Sequence, residues 1–229
     1  MGSMSKRHRG NQSAVIKDQV YGLLDGIAAV KTATAARFDE TVDIAVNLGT
    51  DPRKSDQAVR GAVSLPHGTG RTRRVIAFVK DPDKQEEAKA AGAVEVGADE
   101  LVAKVADGWS DFDVAVSAPD MMGKVGRLGK VLGPQGKMPT PKSGTVTPNV
   151  AAAVKDFTAG KVEFRADSGA TVHAAVGKRS FDDQLIAENV QAFLTAVIAL
   201  KPAASKGTYI KQVHLSTTMG PGVSVDVSA

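Results

Sequence analysis

The chain has 229 residues, 42% of them apolar and 24% charged, which excludes a disordered chain and allows one large domain or two ordinary ones. It has no cysteine, so disulfides, thiolate metal sites and cysteine nucleophiles are ruled out together, and a cytoplasmic location fits that absence. The net charge of +4 and pI near 9.2 are mildly basic, and no apolar run approaches the roughly 18 to 20 residues that a membrane span requires.

From the start, Met1 to Gly10 is basic with no apolar segment behind it, so it does not read as a signal peptide. Met1-Gly2-Ser3 ahead of Met4 reads as an added leader. Val15, Ile16, Val20, Leu23, Leu24 and Ile27 stand at helical spacing and predict one amphipathic helix over 13–30. Val42, Ile44, Val46 and Leu48 then alternate with Asp43, Ala45 and Asn47, the period of a half-buried strand. Gly61 to Leu65 is a second short strand, closed by Pro66 and His67-Gly68-Thr69-Gly70. The middle alternates strand and helix. Val75–Val79, Val94–Val96 and Phe112–Ser117 read as strands, while Asp83–Ala91, Asp99–Ala106 and Met121–Leu132 read as helices.

Two-fold alternation then returns. Val162, Phe164 and Ala166, with Val172, Ala174 and Val176, predict a hairpin whose loop is Ser168-Gly169-Ala170. That register sets Asp167 opposite Thr171 and Arg165 beside His173 on the polar face. A helix over 182–199 follows, stopped by Pro202, and a last hairpin joins Tyr209–Thr217 to Val223–Val227 through Met219-Gly220-Pro221-Gly222. The ends resemble each other in style and differ from the middle. The expected fold is therefore a split α+β domain made from both termini, residues 1–68 and 160–229. A Rossmann-like parallel α/β domain, residues 69–159, is inserted in it.

Charge is segregated along the chain. Lys124, Arg127, Lys130, Lys137 and Lys142 lie in a stretch from Met121 to Thr145 with no acidic residue, whereas Asp81 to Asp113 is strongly acidic. Such a division suits one surface for a polyanion and another facing away from it, although solvated helix faces give the same pattern. Enzyme signatures are missing. Gly123, Gly126, Gly129, Gly133 and Gly136 lack dinucleotide-loop spacing, and no Gly-Lys pair completes a P-loop. His8, His67, His173 and His214 lack metal-ligand spacing, so no catalytic residue, metal or cofactor is expected. The segment GPQGKMPTPKSGTVTP, residues 133–148, combines proline, glycine and lysine in a way suited to phosphate contact.

MMGKVGRLGKVLGPQGKMPTPKSGTVT resembles the signature of the "L-one" family of large-subunit ribosomal proteins, the protein of the mobile lateral stalk. ARFDETVDIAVNLGTDPRKSDQAVRGAVSLPHGTGR, KVEFRADSGATVHAAVGKRSF and STTMGPG resemble its other blocks, in the same order and in the bacterial style. Gln135, Lys137 and Thr140 vary the signature loop. The resemblance implies an RNA surface at Arg37, Phe38 and Thr41 and at Thr217, Thr218, Met219 and Gly220, with Arg165, Asp167 and Ser168 as further members. In that surface Arg37 faces phosphate, Phe38 and Met219 exclude water, and the threonines read 2′-hydroxyls and base edges. Without the resemblance, Phe38 would read as a core residue. The implied partners are large-subunit ribosomal RNA and exit-site tRNA, whose release the stalk assists. The protein's own operon messenger is a further implied target, bound by the same surface in translational repression. The chain is expected to be a monomer when free, without a membrane partner.

Overall fold

The computed structural model describes residues 6–13, 15–16 and 19–226, so Met1-Gly2-Ser3 and Val227 lie outside the described residues. The chain opens with helix α1 (Lys6–Ser13), strand β1 (Val20–Tyr21) and helix α2 (Leu23–Thr32). Strands β2 (Thr41–Leu48) and β3 (Arg60–Ser64) follow. Next come β4 (Val75–Phe78), α3 (Pro82–Ala90), β5 (Glu95–Gly97), α4 (Asp99–Ala106) and β6 (Val114–Ser117). Short helices α5 (Met122–Val125) and α6 (Gly129–Leu132) precede α7 (Val150–Ala159). The chain ends through β7 (Lys161–Arg165), β8 (Thr171–Lys178), α8 (Asp183–Ala199), β9 (Ile210–Thr217) and β10 (Gly222–Val225). These elements form two compact units. One takes the described residues up to Gly70 and those from Val162 onward, and the other spans Arg71–Lys161.

In the discontinuous unit a five-stranded sheet has the order β1-β10-β9-β2-β8. Strand β2 is central and antiparallel to both neighbours, with Ala45 opposite His173 on one side and His214 on the other. Its period of two is complete: Val42, Ile44, Val46 and Leu48 are buried, while Thr41, Asp43, Ala45 and Asn47 occupy the opposite face. The buried face is covered by α2 and α8, whose Ile27, Val30, Ile186, Val190, Phe193 and Val197 join the strand residues in one core. Fully burying an aliphatic or aromatic side chain contributes about 1.5 to 3 kcal/mol, so this single apolar face is the main source of the unit's stability. Phe164 of β7 meets Phe193 edge to face at 5.2 Å.

The continuous unit holds a parallel three-stranded sheet, β5-β4-β6. Both faces are covered, which explains the unbroken apolar run of β4. Val75 and Ala77 face a core shared with Val154 and Phe157 of α7, while Ile76 and Phe78 face Leu101, Val105, Val125 and Leu132.

Three expectations are corrected. Residues 13–30 do not form one helix: Val20–Tyr21 pairs in parallel with Ser224–Val225, and the second helix starts only after Gly22. The apolar spacing was helical by coincidence, since Ile16, Val20 and Leu24 are exposed and only Ile27 of the set is fully buried. The helix expected over 121–132 is broken into α5, a 3-10 turn at Gly126–Leu128 and α6, because Gly126 and Gly129 disfavour a continuous helix. Its apolar stripe, Val125, Leu128 and Leu132, is nonetheless buried. Lastly, the hairpin over 162–176 exists only as its turn. Asp167 N–H donates to Thr171 O at 2.9 Å and Ala166 bridges Val172, but β7 then joins β3 while β8 joins β2. Arg165 and His173 therefore do not form a ladder pair.

Candidate nucleic-acid interface

The loop after α2 carries Arg37 and Phe38 to the N-terminal end of β2, and the β9–β10 turn carries Thr218, Met219 and Gly220 to the same end of the sheet. The link between them is the ladder, in which Val42 pairs with Thr217. Beyond the ladder, Thr218 N–H donates to Thr41 O at 3.1 Å, and Thr41 N–H donates to the Thr218 hydroxyl at 3.1 Å. Phe38 and Met219 are 56% and 51% exposed, although both are large and apolar. Arg37 is exposed beside Phe38. The two loops thus present large exposed apolar side chains and a cation at one end of the sheet.

A buried carboxylate underlies both loops. Glu40 is 1% exposed and accepts the Ala36 N–H at 2.7 Å and the Met219 N–H at 3.1 Å. The guanidiniums of Arg179 and Arg7 stand 3.5 and 3.6 Å from it. Burial opposes its charge, but the two amides and Arg179 outweigh burial and hold the carboxyl below the ordinary glutamate range. Arg179 also donates to the carbonyls of Lys31 and Ala33, at 2.5 and 2.7 Å, which fixes the end of α2. Lys178 donates to the Thr41 hydroxyl at 3.0 Å, and Ser180 holds Asp39 through both backbone and hydroxyl. Glu40, Lys178, Arg179 and Ser180 were not singled out from the sequence. The GKRS run was the available signal, since paired cations beside a serine at a strand end suit an anion-facing edge.

Two of the expected contact residues, buried Thr217 and exposed Thr218, also engage the protein's own backbone or turn. Thr217 is 3% exposed, and its hydroxyl lies beneath Gly220, where an added Cβ would come within 2.3 Å of it. The Thr218 hydroxyl is occupied by the backbone of Thr41. Both threonines shape the turn.

Arg165, Asp167 and Ser168 are exposed but lie at the far end of the sheet, because the 167–170 turn leads into Thr171, which pairs with Asn47. From Thr41 to Asn47 along β2 is about 20 Å at about 3.3 Å per residue. Asp167 builds its own turn by accepting the N–H groups of Thr171 and Gly169, each at 2.8 Å, which with His173 nearby holds its carboxyl below the usual aspartate range. Between the two ends runs the sheet face not covered by helices, bearing Asp43, Ala45, Asn47, His173 and His214. Burial raises the Asp43 carboxyl above its ordinary range, against the pull of His173 and Lys178.

In the continuous unit the basic series is partly engaged. Lys124 pairs with Asp99 at 2.5 Å, and Lys137 donates to Ser110 O at 2.9 Å with its ammonium over Phe112. Arg127, Lys130 and Lys142 are exposed. The 133–148 segment is ordered by hydroxyls: Thr140, Ser143 and Thr145 bond one another, with Ser143 and Thr145 buried. No group of histidine, aspartate or glutamate side chains among the described residues has the arrangement of a metal site, and no described helix is long and apolar enough to cross a membrane.

Known proteins are similar in sequence to this chain over nearly its whole length. The large ribosomal subunit protein uL1 of Nocardioides sp. is 57% identical over 222 residues, covering 97% of this chain and 92% of that protein. The proteins of the same name from Beutenbergia cavernae and Paenarthrobacter aurescens are 52% and 53% identical, over 100% and 97% of this chain and 95% and 96% of their own lengths. The model of the ribosomal protein L1p/L10e family matches residues 29–221, from within α2 to the β9–β10 turn, and so takes in both loops that Glu40 holds. The chain belongs to the ribosomal protein L1p/L10e family.

Proposed function

We propose that this protein is a structural constituent of the large ribosomal subunit that binds ribosomal RNA through the discontinuous unit. The observation that carries the reading is the exposure of Phe38 and Met219 together, beside Arg37, on loops fixed from below by a buried carboxylate. Exposed apolar groups on a rigid polar frame suit folded RNA, whose unstacked bases and sugars offer flat partners and whose phosphates meet the adjacent cation. The RNA lies along the open sheet face, from the Arg37–Met219 end toward Arg165 and Ser168. The site is a binding surface without catalysis.

The inserted unit, a Rossmann-like α/β domain, serves the exit-site tRNA at the lateral stalk. Exposed Arg127, Lys130 and Lys142 support that assignment. The operon messenger is read by the same surface as ribosomal RNA, so the two compete.

Measured affinity for the stalk RNA as a function of salt tests the core of the reading. Arg37→Ala is expected to lower the slope of log affinity against log salt by up to about one unit. Phe38→Ala is expected to weaken binding by about 1 to 3 kcal/mol, the scale of losing an aromatic ring stacked on a base, with the slope unchanged because every charge stays in place. Full affinity in both variants would sink the reading.

A further inference from the structure

The groups expected to touch RNA sit on two segments about 180 residues apart in sequence, yet one side chain bonds to both. We propose that Glu40 is the positioning residue of the RNA surface, acting through the backbone N–H groups of Ala36 and Met219 without touching RNA. The inference rests on the RNA-binding reading above.

Three observations lead to it. Glu40 is 1% exposed, so it makes no contact with a ligand on the surface. An acid beside a polyanion would repel it, and burial with full pairing removes that cost while keeping the acceptor. Its two oxygens divide their amides: Oε1 takes the Ala36 N–H, in the segment carrying Arg37 and Phe38, and Oε2 takes the N–H of Met219 itself. Neither amide lies within a strand ladder, so without the carboxylate each loop loses one of its anchors, and the two lose the one they share. Arg179 completes the frame by joining Glu40 to the carbonyls at the end of α2, and its own N–H donates to Glu40 O at 2.8 Å. Arg7 of α1 approaches the same carboxylate and donates to Thr34 O at 2.8 Å.

A glutamine at this position has the same size but turns one acceptor into a donor, which then faces an N–H donor. Glu40→Gln therefore releases one loop while filling the same space. In the intact chain without RNA, its amide exchange at Ala36 or Met219 should accelerate relative to wild type. Affinity for the stalk RNA should fall by about tenfold or more, the scale of losing a hydrogen bond to a charged group. The deciding measurement is a double-mutant cycle. In an Arg37→Ala/Phe38→Ala/Met219→Ala background, Glu40→Gln should weaken binding by less than about twofold, because the groups it positions are gone. A merely structural role predicts equal loss in both backgrounds, and that result would overturn the proposal, as would unchanged affinity. If Glu40→Gln does not fold, Glu40→Asp carries the same expectations, since it keeps the charge but is one methylene too short to reach both amides. If Arg37→Ala/Phe38→Ala/Met219→Ala binds as tightly as wild type, the RNA-binding reading itself fails, and this inference with it. Accelerated exchange in that case still distinguishes a correct anchor from a wrong ligand.

Discussion

Asp43 and Glu40 lie on the same segment of chain and titrate in opposite senses. Glu40 is held below its ordinary range, so the stability it contributes is present above the unfolded value of 4.5 and is lost as pH falls through its folded value. Asp43 is raised above 3.8 by burial, so the folded state favours its protonated form. The stability tied to that proton is full below the unfolded value and is lost as pH rises through the folded one. Asp43→Asn is thus expected to raise the melting temperature at neutral pH, with the gain disappearing in acid, where wild type is protonated as well. Thermal melts of both proteins across pH check this. The exposure of Phe38 carries its own consequence for stability. Phe38→Ala should leave the melting temperature nearly unchanged, whereas Phe164→Ala, 2% exposed within the core, should cost about 3 to 5 kcal/mol.

At the scale of elements, the β9–β10 turn depends on a contact between neighbours in sequence. The Thr217 hydroxyl occupies the space that a Gly220 side chain would need, at 2.3 Å. Gly220→Ala should therefore displace the turn and weaken RNA binding, and adding Thr217→Ala should restore part of the affinity by clearing that space. Titrations of the single and double variants read the effect directly. The sheet was legible where local pattern decides structure. The in-and-out alternation of β2 and the stripe of α8 follow from their periods, and the turn at Asp167 follows from parity. What was not legible was partner choice. β7 leaves β8 for β3, and Val20–Tyr21 joins β10 from across the chain, because pairing is settled by distant surfaces that no local period records. Helix α7 was missed although its signals were present: Asn149 caps it by accepting the Ala152 N–H at 3.2 Å, and Gly160 ends it at φ 115°. In the site, Arg37, Phe38 and Met219 were reached through family resemblance. Glu40 was not, since no spacing in the sequence marks a carboxylate as buried.

For the whole molecule, the division at Gly70/Arg71 and Lys161/Val162 makes a direct experiment possible. Each unit has its own apolar core, so joining residue 70 to 162 with a short flexible linker should leave a folded protein that retains RNA affinity. Near-UV circular dichroism and the same RNA titration check both halves of that statement. A molten product would mean that the discontinuous unit needs the other to fold.

The separation of the two groups of proposed contact residues along β2 also sets a ruler for the RNA-binding reading. A strand bonded on both sides cannot stretch, so Thr41, bonded to Thr218 at one end of β2, and Asn47, paired with Thr171 at the other, stay about 20 Å apart. Two modest contacts at a fixed spacing behave as a bivalent grip, in which holding one end raises the effective concentration of the other. Selectivity then follows from distance as much as from sequence. An RNA with both features at the wrong separation binds like half a site, and two half-sites supplied on separate strands do not replace the whole.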